Sequence, residues 1–170
     1  MSTTAIQRAM GISVHTGWGA CVVVAGLLER PEVIAAAMIE ALPDNERFCF
    51  HSAAEMAPKA ATEWLARLRQ KALDNVRRQL VPLMPHVSRC AIVAKEGEPG
   101  DLAAVMRSHP RIHTAEGCFY RDLFRDACPV PTCIVPPSSL DVSRVGKLAA
   151  PPWGRDQKLA ALAAWSLSGG

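Results

Sequence analysis

The segment from Gly11 to Gly26, GISVHTGWGACVVVAG, constrains the fold more than any other part of the chain. β-Forming side chains fill both halves, and Thr16, Gly17 and Gly19 interrupt them. That pattern predicts a strand, a tight turn or bulge, and a second strand. Pro31 then opens PEVIAAAMIEAL, which admits either a third strand or a short helix, with Ala35 to Ala37 favouring helix by propensity. RFCFH, Arg47 to His51, follows the Pro43-Asp44-Asn45 turn and predicts a short aromatic strand.

A long helix comes next. Ser52 and Glu55 have the spacing of a capping box, and Pro58 is expected in the first turn, where its missing N–H costs nothing. Trp64, Leu68, Ala72, Val76 and Leu80 recur every fourth residue, with Leu65 and Leu73 widening the stripe, so one face should be buried. The other face carries Arg67, Arg69, Lys71, Arg77 and Arg78 against Glu63 and Asp74. It reads as a solvated face or as a surface for a polyanion. Ser88 to Ala94 is a short apolar run suited to a central parallel strand. A short helix through Leu102 and Val105, a helix from Thr114 to Cys128, a strand over Pro131 to Pro136 and a final helix through DQKLAALAAW complete the chain. Hairpin, strand, helix, strand, helix, strand, helix argues for a mixed sheet with helices on its faces.

Composition excludes several classes. The 170 residues are 49% hydrophobic and 21% charged, which fits a packed α/β domain and neither disorder nor a fibre. No apolar run approaches the roughly 20 residues of a membrane span, and Met1 to Met10 lack the apolar stretch of a secretory signal. A cytoplasmic chain without a membrane partner is therefore expected. Nineteen basic against 16 acidic side chains give +3, too little to announce nucleic acid. The six cysteines have no zinc-knuckle spacing, and Cys21, Cys90 and Cys133 lie in apolar runs, so reduced, buried thiols are expected.

The order of elements resembles the ribonuclease H-like fold, an antiparallel meander, a crossover helix and then βαβα. GISVHTGWG resembles the opening strand and turn of Holliday-junction resolvases, and AEGCFYRDLFRDACPVPTCIVPPSSL resembles their later helix, strand and Pro-Pro-Ser. The chain also looks like a bacterial family marked by an HTGW opening and a PPW-DQKLAALAAW ending, a likeness that implies no activity. The resemblance implies one ribonuclease H-like domain over residues 1–170, a mixed sheet flanked by helices. It also implies a first-strand aspartate that helps hold two magnesium ions, but Ser13 occupies that place. Glu96 falls where the second resolvase carboxylate lies, and AALAAWSLS offers no closing acidic pair. No cofactor is specified; a divalent metal stays open but is not supported by an intact carboxylate set.

Histidines at the ends of elements carry what chemistry the sequence offers. His15 precedes Thr16-Gly17, whose backbone N–H groups suit an anion; a histidine satisfied by a backbone carbonyl is the alternative. His51 is either a packed residue before the long helix or a substrate contact. His113 and Glu116 share a helical face, as a base oriented by a carboxylate would, or Glu116 merely complements the helix dipole. His109 lies four residues before His113, but Pro110 between them is expected to set them on different faces, which disfavours a two-histidine metal motif. Asp156 reads as a plain N-cap or as a site residue, Lys158 as a rim cation, and Arg121 as a partner of Asp122 or Asp126 or as an anion contact. The expected catalytic set is His15, His113, Glu116 and Asp156 converging on one cleft, with Thr16, Gly17, His51, Arg121 and Lys158 binding substrate and no protein-bound metal. Two functions follow: a hydrolase or nuclease-like enzyme on an anionic, phosphate-bearing substrate, or an inactive binding module. Partners are accordingly a small anionic ligand or nucleic acid, the latter bound weakly because no aromatic residue interleaves the arginines of the long helix.

Overall fold

The computed structural model describes residues 7–167. Strands β1 (Arg8–His15) and β2 (Trp18–Ala25) form the hairpin the sequence predicts, joined at Thr16-Gly17, where Gly17 adopts a positive φ of 89°. β3 (Glu32–Glu40) settles the ambiguous segment as a strand, antiparallel to β2. The helical propensity of Ala35 to Ala37 yields because β2 would otherwise present an unpaired edge of buried backbone. β4 (Val87–Val93) lies parallel to β1, and β5 (Thr132–Val135) lies parallel to β4. The order β3-β2-β1-β4-β5 is the mixed α/β arrangement that the ribonuclease H-like resemblance implies.

Two helical layers cover the sheet. Met10, Ile12, Cys21, Val23, Cys90 and Ile92 face α1 (Cys49–Ala54), α2 (Pro58–Leu80) and α4 (His109–Ala127). Ala9, Val22, Val24, Ala91 and Val93 face α5 (Arg155–Ser166). Successive side chains of a strand point to opposite faces, so one residue of register decides which layer a group joins. In α2 the predicted stripe is buried at Leu68, Ala72, Leu73, Val76 and Leu80, while Trp64 is only partly covered. Each large aliphatic of that stripe contributes about 1.5–3 kcal/mol by leaving water, so packing outweighs propensity in fixing the helix.

Several boundaries differ from the expectation. Arg47 to His51 does not form a strand. Cys49 and Ala53 are the buried residues of α1, four apart, and Tyr120 on α4 donates its hydroxyl to the Arg47 carbonyl at 2.6 Å. A helical turn brings Cys49 and Ala53 to one side, whereas strand alternation would place only every second residue there. Ser52 therefore lies within α1 and Glu55 at its C-cap, and α2 begins at Pro58 after Ala57 with no side-chain cap. Helix α4 starts five residues earlier than expected, at His109, because Pro110 sits in the first turn, where proline fits. α3 (Leu102–Val105) is a single turn capped by Asp101. Four of the six thiols are buried, but Cys133 is exposed on the edge strand, against expectation, and Cys128 is only partly covered.

Close approach of α5 to β1 builds the end of the sheet where candidate chemistry gathers. A Cβ on Gly11 would lie 1.8 Å from the Ala160 carbonyl oxygen, so only glycine permits this spacing. Ala160, Ala161, Ala163 and Ala164 are all fully buried, and their small side chains let the helix backbone settle on the strands.

Candidate functional site

Asp156 is not the N-cap of α5. Gly154 holds that position and takes its support from Gln157, whose Oε1 accepts the Gly154 N–H at 2.9 Å. The Asp156 side chain instead reaches the C-terminal end of β1. Its Oδ1 lies 2.8 Å from His15 Nε2 and accepts from the Ser13 hydroxyl at 3.3 Å. Ser13 and His15 alternate onto the α5 side of β1, and the tight helix–strand contact at Gly11 brings Asp156 within reach of both. The His15 ring stacks on Trp18 across the hairpin, centroids 4.2 Å apart and planes 12° from parallel. Both polar side chains remain accessible, His15 at 41% and Asp156 at 30%.

This pair opens into a cleft of about 470 Å³. Ser13, His15, Thr16, Lys95, Arg155 and Asp156 supply its polar lining, and Gly117 and Tyr120 of α4 also line it. Lys95 leaves the end of β4 and Arg155 opens α5, so two exposed cations flank the histidine–aspartate pair. Neither was singled out by sequence. Their signal was positional, at the C-terminal ends of parallel strands and the start of a helix, where ligands of open sheets bind. Lys158 does not line the cleft; one turn along α5 from Gly154, it lies past the helix start that Arg155 occupies. Gly17 is also absent from the lining. It is buried under Arg47, whose Cβ would lie 2.6 Å from an added methyl, and its carbonyl accepts from the Ala41 and Leu42 N–H groups.

His113 and Glu116 do not join His15 and Asp156. They ride on α4, which covers the other face of the sheet, and they turn towards α1. Glu116 is buried, 2% exposed, and its Oε1 accepts from the Phe50 N–H at 3.2 Å and the His51 N–H at 3.4 Å. His51 Nδ1 lies 2.9 Å from the same oxygen. The face-breaking effect expected of Pro110 does not occur either: with Pro110 in the first turn, His109 and His113 are separated by one helical turn and their Nε2 atoms lie 3.0 Å apart. One ring nitrogen each from His51, His109 and His113 lies within 4.8 Å of the other two. Two separate polar clusters therefore replace the single convergent one. They separate because α4 and α5 cover opposite faces of the sheet.

The remaining candidates are engaged elsewhere. Arg121 pairs with Asp122 at 2.9 Å and donates to the Gly97 carbonyl at 2.9 Å, beside Glu96 and Glu98 in a different depression. Of the basic residues on α2, Arg69 is held by Asp126 and Lys71 by Glu46, which leaves less of that face for a polyanion than the sequence suggests. The acidic set that the family resemblance requires for two magnesium ions does not fit. The first-strand position is a serine 3% exposed, Glu96 lines a separate depression, and Asp156 already accepts from Ser13 and pairs with His15.

No protein-family model matches the chain, and no curated protein matches it. Among solved structures, Thermus thermophilus RuvC is similar at a TM-score of 0.46 and 12% identity, over 95% of this chain and 93% of the other. T. thermophilus RuvC in complex with a Holliday junction substrate is similar at 0.44 and 14%, over 96% of each chain. None of the helices among the described residues is long and apolar enough to cross a membrane.

Proposed function

We propose that the chain is a hydrolase of phosphate esters that uses His15 as its general base. The observation that carries this reading is the 2.8 Å His15–Asp156 pair inside a cleft flanked by Lys95 and Arg155. A carboxylate bonded to Nε2 favours the tautomer with its proton there, which leaves the lone pair on Nδ1. In the proposed step a water loses its proton to Nδ1 as its oxygen bonds to phosphorus. The P–O ester bond breaks, and the leaving oxygen takes a proton from solvent. Asp156 orients the ring and stabilises the imidazolium, while Lys95 and Arg155 offset charge on the non-bridging oxygens. His113 and Glu116, expected in the same catalytic set, have no part in this chemistry.

Initial rates with p-nitrophenyl phosphate and bis-p-nitrophenyl phosphate test the reading. Turnover by the parent, reduced about 10²–10⁴-fold in His15→Ala, is the expected result. One observation favours a second reading, a binding module without catalysis: Ser13 stands where the related fold needs a metal-holding carboxylate. Thermal stabilisation by inorganic phosphate or nucleotides, with no turnover of either ester, would select that reading. Tight binding of single-stranded DNA at physiological salt would replace the small ligand with nucleic acid.

A further inference from the structure

We infer that His51, His109 and His113 form a binding site for a late first-row transition-metal ion, with zinc as its natural probe and Glu116 as the carboxylate that orients one ligand. The site is distinct from the His15 cleft and does not depend on the reading of that cleft.

Spacing and chemistry both support the site. His109 and His113 are four residues apart on one face of α4, a separation at which two imidazoles can meet one ion. His51 comes from a different helix, so an ion there would tie α1 to α4. The three rings sit edge to face, with centroids 4.5, 4.9 and 5.3 Å apart. Zinc–nitrogen bonds of about 2.0–2.1 Å in a tetrahedron put neighbouring nitrogens about 3.3 Å apart. The 3.0 Å His109–His113 contact and the 4.8 Å limit for the trio bracket that separation, so small side-chain rotations suffice. Three neutral imidazoles match zinc, copper or nickel better than magnesium or calcium, which want oxygen.

Glu116 strengthens the case. A ligating histidine characteristically gives its other ring nitrogen to a carboxylate, which fixes the tautomer. Here Glu116 Oε1 holds His51 Nδ1 at 2.9 Å, leaving Nε2 for the ion. A buried carboxylate is costly unless nearby groups compensate it, and a divalent cation beyond His51 supplies charge of the required sign. His109 and His113 are exposed, so the fourth coordination position is open to water or an anion.

The test uses untagged full-length protein, stripped with chelator and titrated with Zn²⁺ by calorimetry, and with Co²⁺ by visible absorption. One ion per chain is expected, with the intense cobalt bands of a four-coordinate site. His109→Ala and His113→Ala, both exposed positions, should each weaken Zn²⁺ binding about 100-fold or more while keeping the parent's circular dichroism. Glu116→Gln should weaken it about 10–100-fold, and His15→Ala should leave it unchanged. Absence of binding at micromolar Zn²⁺ overturns the inference. So does binding that survives both α4 variants, or binding that is lost in His15→Ala.

Discussion

Two histidine–carboxylate pairs, built from nearly the same chemistry, sit in contrasting surroundings. His15 and Asp156 meet at 2.8 Å between β1 and α5, and solvent reaches both. His51 and Glu116 meet at 2.9 Å between α1 and α4, and the carboxylate is buried beneath two backbone N–H donors. The first pair is flanked by Lys95 and Arg155, the second by two more imidazoles. Cationic neighbours draw anions, whereas neutral nitrogen donors draw a cation. The pair itself therefore specifies no function; burial and the next layer of side chains decide it. Burial also divides the energetics. An exposed polar pair is worth about 0–1 kcal/mol, but a buried acceptor supports every donor turned towards it.

Glu116→Ala is the strongest test of this contrast. It leaves the Phe50 and His51 N–H groups and the His51 ring without their shared acceptor, and should lower unfolding free energy by about 3–5 kcal/mol. Denaturant midpoints at constant m-value measure it, and a loss below about 1 kcal/mol would erase the distinction between the pairs. Next in size, Asp156→Asn should reduce kcat on phosphate esters about 100-fold, or about 2.7 kcal/mol in the barrier, because the ring loses its orienting carboxylate. Unchanged kcat would separate Asp156 from the chemistry.

A smaller effect belongs to the buried region alone. Burial, reinforced by the neighbouring Glu116, pushes the Cys49 thiol up to about 12. In the unfolded chain that thiol ionises near about 8.5, so below this pH both states keep the proton and stability is unaffected. Between about 8.5 and 12 the unfolded state gives up its proton first, and stability falls as pH rises, by about 1.4 kcal/mol per pH unit for this group. Cys21 and Tyr120 are shifted upward by burial too and steepen the same limb. Cys49→Ala should flatten the stability profile between pH 9 and 11 relative to the parent, and an unaltered slope would show that the thiol is not sequestered. The smallest effect completes the contrast: Asp156→Ala should change thermal stability by no more than about 1 kcal/mol, read by calorimetry.

The legible parts of the fold were those governed by local rules. The Thr16-Gly17 hairpin, the four-residue stripe of α2 and the short apolar runs of β4 and β5 all appear where their patterns place them. The illegible parts depended on partners distant in sequence. α1 is a helix because Cys49 and Ala53 must face the core together and because Tyr120, 73 residues away, takes the Arg47 carbonyl. Within the candidate site, His15 and Asp156 were recognisable as residues at element ends, but their meeting required α5 to pack against Gly11. Lys95 and Arg155 were hidden for the same reason: an isolated exposed cation has no sequence pattern until a cleft gives it a neighbour.

Periodicity and propensity, which act over a few residues, thus determined most of the succession of strands and helices, β3 and α1 excepted, and the inward faces of most of them. They also placed His15, His51 and His113 near the ends of elements. Only the tertiary structure decided which of those ends meet. α4 and α5 cover opposite faces of one sheet, so the carboxylates Glu116 and Asp156 were sent to different histidines. That assignment rests on which face each β1 side chain takes and on the missing methyl of Gly11, contacts between segments as far as 149 residues apart that no local pattern encodes.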